Sequence, residues 1–395
     1  MRSLRRKTLR SVALLALPLL LLMTLQPNGQ TQAAAQQPSQ QRVVLGYYVP
    51  YDPTSWQSLA EHIDQLDMVA AQWVTIDACG NLASQDDQTL KLLAKQHNVR
   101  VLPSLLTLSG WLNHQLLADD DTAAHAIEQI VSYTLAENYD GFDLDLEGVA
   151  AADRPLLTRF VSWLGAALHD PGKLLTLAIP AKERDVTTGW AAAYDYGALG
   201  AAADLVTVMA YEFRGSFSDP GSVAPYDWVA RVAAFSTSQI APEKVLLGLS
   251  FYGYDWNTTS GGTRSLGYPQ ALALSNHYGA PLMFDLHQQS ATFSYEAIAG
   301  EPGPRNQSTA RTTHQITARN PPPCDLQPPP TPVPAPAPTP DPGTVQTHEV
   351  WLEEAASAEA RLAIADRYGT GGVATWRLGL EEPRVWDLFA EWRAR

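Results

Sequence analysis

Cysteine is nearly absent: 395 residues hold two, Cys79 and Cys324. Two cannot build a disulfide framework, and neither sits in a CxxC or Cys/His spacing that would hold zinc. The fold therefore rests on an apolar core. The sequence leaves open whether the two pair, because Cys324 lies in a proline-rich stretch that does not fix its position. Positive charge is also scarce, 27 Lys and Arg against 41 Asp and Glu, a net charge of −14. Neutralising a phosphate backbone needs clustered cations, so nucleic acid is excluded as a partner. Long apolar runs are missing after the first 25 residues, which leaves no later segment able to cross a bilayer as a helix.

The N-terminus is the exception. Arg2, Arg5, Arg6, Lys7 and Arg10 precede an apolar run from Val12 to Leu25, followed by a polar stretch ending in Ala33-Ala34-Ala35. This is a signal-peptide layout over residues 1–35. The run of about 14 residues falls short of the roughly 20 that span a membrane, so an N-terminal tether is the alternative reading. The mature chain is expected to be secreted, extracellular or in the cell envelope.

With 45% hydrophobic and 17% charged residues, the rest can bury a sizeable core. From residue 43, short apolar runs alternate with helical stretches. The strand candidates are 43–48, 68–75, 99–104, 141–147, 174–179, 205–210, 245–250 and 372–376. Between them, 89–97, 122–138 and 155–169 carry apolar residues three and four apart. Eight strands in one βα series predict a (β/α)8 TIM barrel over 43–395, although counting alone leaves a doubly wound sheet open. A proline-rich stretch resembles a linker, yet the residues after it are too few to bury a core of their own. They supply the eighth unit. The expectation is a barrel interrupted between strands seven and eight by a small insertion, 258–300, and a proline-rich disordered loop, 301–346.

The segment Asp140-Gly141-Phe142-Asp143-Leu144-Asp145-Leu146-Glu147 carries the chemistry. Side chains alternate across a strand, so Asp143, Asp145 and Glu147 share one face and Phe142, Leu144 and Leu146 the other. In a barrel the apolar face meets the helices and the three carboxylates line the interior toward the C-terminal rim. Like charges so close cannot all stay ionised, so at least one carboxyl should hold a proton near neutral pH. A solvated acidic strand face and a metal site are the competing readings. The spacing fails the calcium-loop pattern, which needs a glycine at the sixth position and a glutamate at the twelfth.

This run resembles the DGxDxDxE signature of glycoside hydrolase family 18, the chitinase family, at every fixed position. The resemblance implies a substrate-assisted retaining mechanism, in which the 2-acetamido oxygen of the sugar attacks the anomeric carbon. It implies Glu147 as acid and base, Asp145 orienting the acetamido group, and Asp143 supporting Asp145. Met209-Ala210-Tyr211 is similar to the family's MxY element, whose tyrosine would hydrogen-bond the acetamido oxygen; Glu212 stands where the family usually has Asp. Trp376 matches the tryptophan that floors the −1 sugar, and Tyr47 is a further carry-over. Met209 and Glu212 join them as candidate substrate contacts. For Tyr211, Trp376 and Tyr47 plain core packing is the alternative. Trp73, Trp111, Trp256 and Trp351 are candidates for outer subsites or for packing. The runs 242–256 and 348–351 resemble the bacterial branch that includes spore-cortex-lytic N-acetylglucosaminidases.

The resemblance implies a glycosidase cleaving β-1,4 bonds next to N-acetylglucosamine in peptidoglycan-derived glycans or chitin, as a monomer with no metal or cofactor. A carbohydrate-binding protein on the same barrel, with little or no turnover, is the alternative.

Overall fold

A computed structural model describes residues 42–304, 314–329 and 340–395. The expected signal segment, 1–35, lies outside them. Fifteen strands and ten α-helices follow one another: β1 Val43–Tyr48, α1 Pro53–His62, β2 Met68–Ile76, β3 Leu82–Asp87, α2 Gln88–His97, β4 Arg100–Thr107, α3 Gly110–Ala118, α4 Asp120–Ala136, β5 Gly141–Leu146, α5 Arg154–His169, β6 Leu174–Pro180, α6 Tyr196–Ala202, β7 Leu205–Met209, α7 Tyr226–Gln239, β8 Val245–Ser250, β9 Tyr252–Asn257, β10 Thr263–Gly267, α8 Tyr268–Tyr278, β11 Met283–Asp285, β12 Ser290–Ile298, β13 Ile316–Arg319, β14 Val345–Leu352, α9 Ala355–Tyr368, β15 Gly372–Trp376 and α10 Val385–Ala394.

Eight of the strands are parallel and close on themselves in the order β1, β2, β4, β5, β6, β7, β8, β15, with β1 pairing both β2 and β15. All eight expected strands are present, and the closed parallel barrel is the expected one. Its strands turn apolar residues to the helices, and to the inside a mixture of apolar residues and buried polar ones, among them Ser104, Asp143 and Thr176. Leu45, Tyr47, Met68, Ala70, Leu102, Ala178, Leu246 and Ala374 fill the inside. Val44, Val69, Val101, Phe142 and Leu144 face the helices, which complete the larger outer core. Helix starts follow local chemistry: Asp52, Asp87 and Asp119 accept backbone N–H bonds from the first turns of α1, α2 and α4. Among the described residues no helix is long and apolar enough to cross a membrane.

The insertion is wider than 258–300. Its five-stranded sheet runs β10, β9, β14, β12, β11, so its edges lie at Tyr252 and Leu352 and it takes in part of the expected loop. The sequence hid this because β9 and β14 pair across about ninety residues, from Asn257↔His348 to Gly253↔Leu352.

The expectation of a loop without structure over 301–346 also fails for residues 314–329. Ile316–Arg319 pairs antiparallel with β3, itself a hairpin partner of β2. The His314 ring Nδ1 lies 2.6 Å from the buried Asp87 carboxylate, which also accepts from the Tyr48 hydroxyl. Cys324 is disulfide-bonded to Cys79, with Cα atoms 5.7 Å apart. The bond closes a loop of 245 residues, and on the chain-entropy model such a link is worth about 5.5 kcal/mol through the unfolded state. The proline-rich segment is thus clasped to the barrel rim at its middle.

Candidate active site

The barrel register builds the site. Ser104 of β4 and Thr176 of β6 lie level with Asp143 of β5. Both hydroxyls donate to its carboxylate, Ser104 Oγ at 2.7 Å and Thr176 Oγ1 at 2.5 Å, and Tyr47 OH lies 3.5 Å away from β1. Burial pushes the Asp143 pKa up to about 6, and the three hydroxyls hold it from going higher.

Asp145 lies one pleat further up, 3% exposed. Burial first, then the charges of Glu147 and Asp143, raise its pKa well above the ordinary carboxylate value. Its Oδ1 is buried without a hydrogen-bond partner among the described residues. Such an acceptor is costly unless something fills it.

Glu147 sits just past the end of β5, half-buried. Its N–H donates to the Thr107 carbonyl at 2.8 Å, and its carbonyl accepts from Asn113 Nδ2 at 2.6 Å, so the backbone is tied to β4 and α3. Gly148 follows with φ of +69°, and a Cβ there would lie 3.1 Å from the Leu108 carbonyl oxygen. Glycine lets the chain turn away directly after the carboxylate. Burial and then the nearby Glu212 charge push Glu147 up to about pKa 7. A carboxyl poised there can give a proton and take one back near neutral pH.

Tyr211 lies two residues past the end of β7, 9% exposed. Burial and the charges of Asp145, Glu147, Glu212 and Asp143 raise its pKa well above the ordinary value, so its hydroxyl stays a donor among four carboxylates. Trp376 is half-buried at the end of β15, its ring edge-on to Tyr47 with centroids 5.5 Å apart. Met209 is half-buried beside both cores. Glu212 adopts φ of +63° and accepts from Tyr252 OH at 2.5 Å and Tyr254 OH at 2.7 Å, through one oxygen. The longer side chain reaches the insertion's first strand. Asp143, Asp145, Glu147, Tyr211, Trp376, Tyr47, Met209 and Glu212 thus meet at one barrel mouth.

The outer tryptophans divide. Trp73 is buried and donates to Tyr133 OH at 3.1 Å, and Trp256 is buried and donates to the Ser218 carbonyl at 3.0 Å, so both are packing. Trp351 and Trp111 are half-buried. Missed from the sequence were Ser104, Thr176, Tyr252 and Tyr254, and also Trp190, 56% exposed with its ring 3.5 Å from the Cβ position of Gly148. The Tyr-Gly-Tyr alternation after strand seven was the one signal for the tyrosine pair. Among the described residues the one convergent set of three metal-ligand types is Asp77, Cys79 and Cys324, whose cysteines form the disulfide.

Comparison with known proteins agrees with this picture. The family model for Glycosyl hydrolases family 18 matches residues 43–381. The chain is 28% identical over 319 residues to YdhD of Bacillus subtilis, provisionally named a sporulation-specific glycosylase, covering 78% of this chain and 65% of that one. It is 24% identical over 322 residues to the cortical fragment-lytic enzyme of Bacillus subtilis, covering 79% of this chain and 64% of that one. The chain thus spans about two thirds of the length of these relatives or slightly less. A crystal structure of a chitinase from Chromobacterium violaceum shares the fold, with a TM-score of 0.72, 24% identity, 90% of this chain and 99% of that chain covered.

Proposed function

The chain belongs to family 18 of the glycosyl hydrolases, and we propose that it cleaves β-1,4 bonds next to N-acetylglucosamine, in chitin or peptidoglycan-derived glycans, by substrate-assisted retaining catalysis. The observation that carries this reading is the graded carboxylate line. Asp143 is satisfied by three hydroxyls, Asp145 keeps a buried oxygen open, and Glu147 is held near pKa 7 at the mouth.

Each residue then has a task that its surroundings suit. Glu147, protonated, gives its proton to the leaving oxygen. The acetamido oxygen of the −1 sugar attacks the anomeric carbon, and an oxazolinium ring forms. Asp145 accepts the acetamido N–H through its open oxygen and offsets the positive charge of that ring. Tyr211 donates to the acetamido oxygen, and Trp376 stacks beneath the sugar. Asp143 stays beneath Asp145 as its support. Glu147, now ionised, removes a proton from water as the water attacks the anomeric carbon and opens the ring. No protein nucleophile and no metal is required.

We also propose export of the chain to an oxidising compartment. The Cys79–Cys324 bond supports this, since structural disulfides persist there.

The reading is tested by the anomer first released from an aryl β-chitobioside, followed by proton NMR in the presence of EDTA. The β anomer should form first, at an unchanged rate with the chelator. An initial α product, or loss of turnover on chelation, would refute the mechanism.

A further inference from the structure

The sheet of the insertion has two faces with different company. Strand alternation sends Tyr252, Tyr254 and Trp256 of β9 toward the loop after β7, where they meet Glu212 and the Gly215 and Ser218 carbonyls. Asp255, between them, points to the opposite face, the one covered by α8. There the sheet and α8 leave an open cleft of about 580 Å³, lined by Asp255, Arg264, Gln270, Tyr278, Tyr295 and His348 among others. That volume falls in the roughly 300–1,000 Å³ range of small-molecule sites. None of the residues assigned to the barrel mouth lines it.

The cleft is built around one fixed acid. Asp255 is 3% exposed and accepts from Tyr295 OH, His348 Nδ1 and Arg264 NH2, each at 2.7 Å. Burial alone would raise its pKa, but the His348 and Tyr295 bonds bring it below the ordinary carboxylate value, so it stays ionised. The Arg264 side chain is 63% exposed, so one end of its guanidinium is held and the rest of its planar donor fork faces solvent. Beside it three rings stack: Tyr295 lies between Tyr278, centroids 4.4 Å apart, and His348, 4.6 Å apart.

We propose that this cleft is a second, non-catalytic binding site for a neutral oligosaccharide. Fixed planar donors beside stacked rings suit the hydroxyls and the apolar faces of a sugar ring. An anionic ligand is disfavoured, because the Arg264 cation is already paired with Asp255 and Glu301 adds a carboxylate to the lining. A purely apolar ligand would strand the exposed guanidinium. That the sugar is an N-acetylglucosamine oligomer rests on the function proposed above; the cleft would then hold the polymer while the barrel mouth cuts it.

The test is calorimetric titration of the full chain carrying Glu147→Gln with chitotetraose, alone and with Tyr278→Ala or Arg264→Gln added. Two classes of site are expected, one of them weakened at least about tenfold by either cleft change. With Glu147 intact, the same cleft variants should keep the parent's rate on a small aryl chitobioside while binding insoluble polymer several-fold less. A destabilised Arg264→Gln would be recognised by its melting temperature, and Tyr278→Ala, which leaves all three Asp255 bonds in place, then decides. A single site insensitive to both changes, with unaltered polymer retention, overturns the proposal. Failure of the parent to turn over aryl chitobioside would instead overturn the hydrolase reading and leave the cleft titration standing.

Discussion

Glu147→Gln is expected to lower kcat on an aryl β-chitobioside by about 10²–10⁴-fold, the usual worth of a positioned general acid and base. Glutamine keeps the shape and the backbone ties to Thr107 and Asn113 but cannot give a proton. KM should change little, because the lost interaction belongs to the transition state. The pH dependence carries a second signature. Glu147 must be protonated for the first step, so kcat/KM in the parent should fall as pH rises through about 7. The Glu212 charge contributes to that raised value. Removing it with Glu212→Gln makes the ionised form of Glu147 easier to reach, so the alkaline limb should move to lower pH. A profile unmoved by Glu212→Gln would separate the two groups, and a fall of less than tenfold in Glu147→Gln would remove Glu147 from the acid role.

Asp145→Asn should produce the other large loss, on the order of 10²–10³-fold in kcat, comparable to removing a preorganised charge partner from a transition state. Asparagine fits the same buried space but offsets no positive charge. That step draws on the ionised form of Asp145. Burial and its acidic neighbours all disfavour it, and one oxygen has no partner among the described residues. Such an arrangement is costly for stability and makes sense at a functional site. Asp145→Asn is therefore expected to melt at the parent temperature or above it while losing activity. A variant both unstable and partly active would mark Asp145 as structural.

The part of this molecule written locally was legible in the sequence. Barrel strands are contiguous apolar runs, and the alternation of Asp143, Asp145 and Glu147 against Phe142, Leu144 and Leu146 fixes which face turns inward. What was hidden depends on pairings between distant segments. Asp143 is satisfied by hydroxyls from two neighbouring strands, which only the barrel register brings level with it. Glu212 finds its two tyrosines about forty residues on, in a strand that belongs to the insertion. The proline-rich composition around Cys324 reads as a solvated linker, yet four residues upstream of it pair with β3 through backbone bonds, which composition does not encode. The same long-range pairing decides the disulfide.

Substrate assistance is tested most directly by comparing an aryl β-chitobioside with the matching aryl β-cellobioside, in which each 2-acetamido group is replaced by a hydroxyl. A mechanism that borrows its nucleophile from the substrate predicts turnover of the first and no measurable turnover of the second, even at saturating concentration. Comparable kcat on both would mean that the protein supplies the nucleophile, and would contradict the assignment of Asp145 and Tyr211 to the acetamido group.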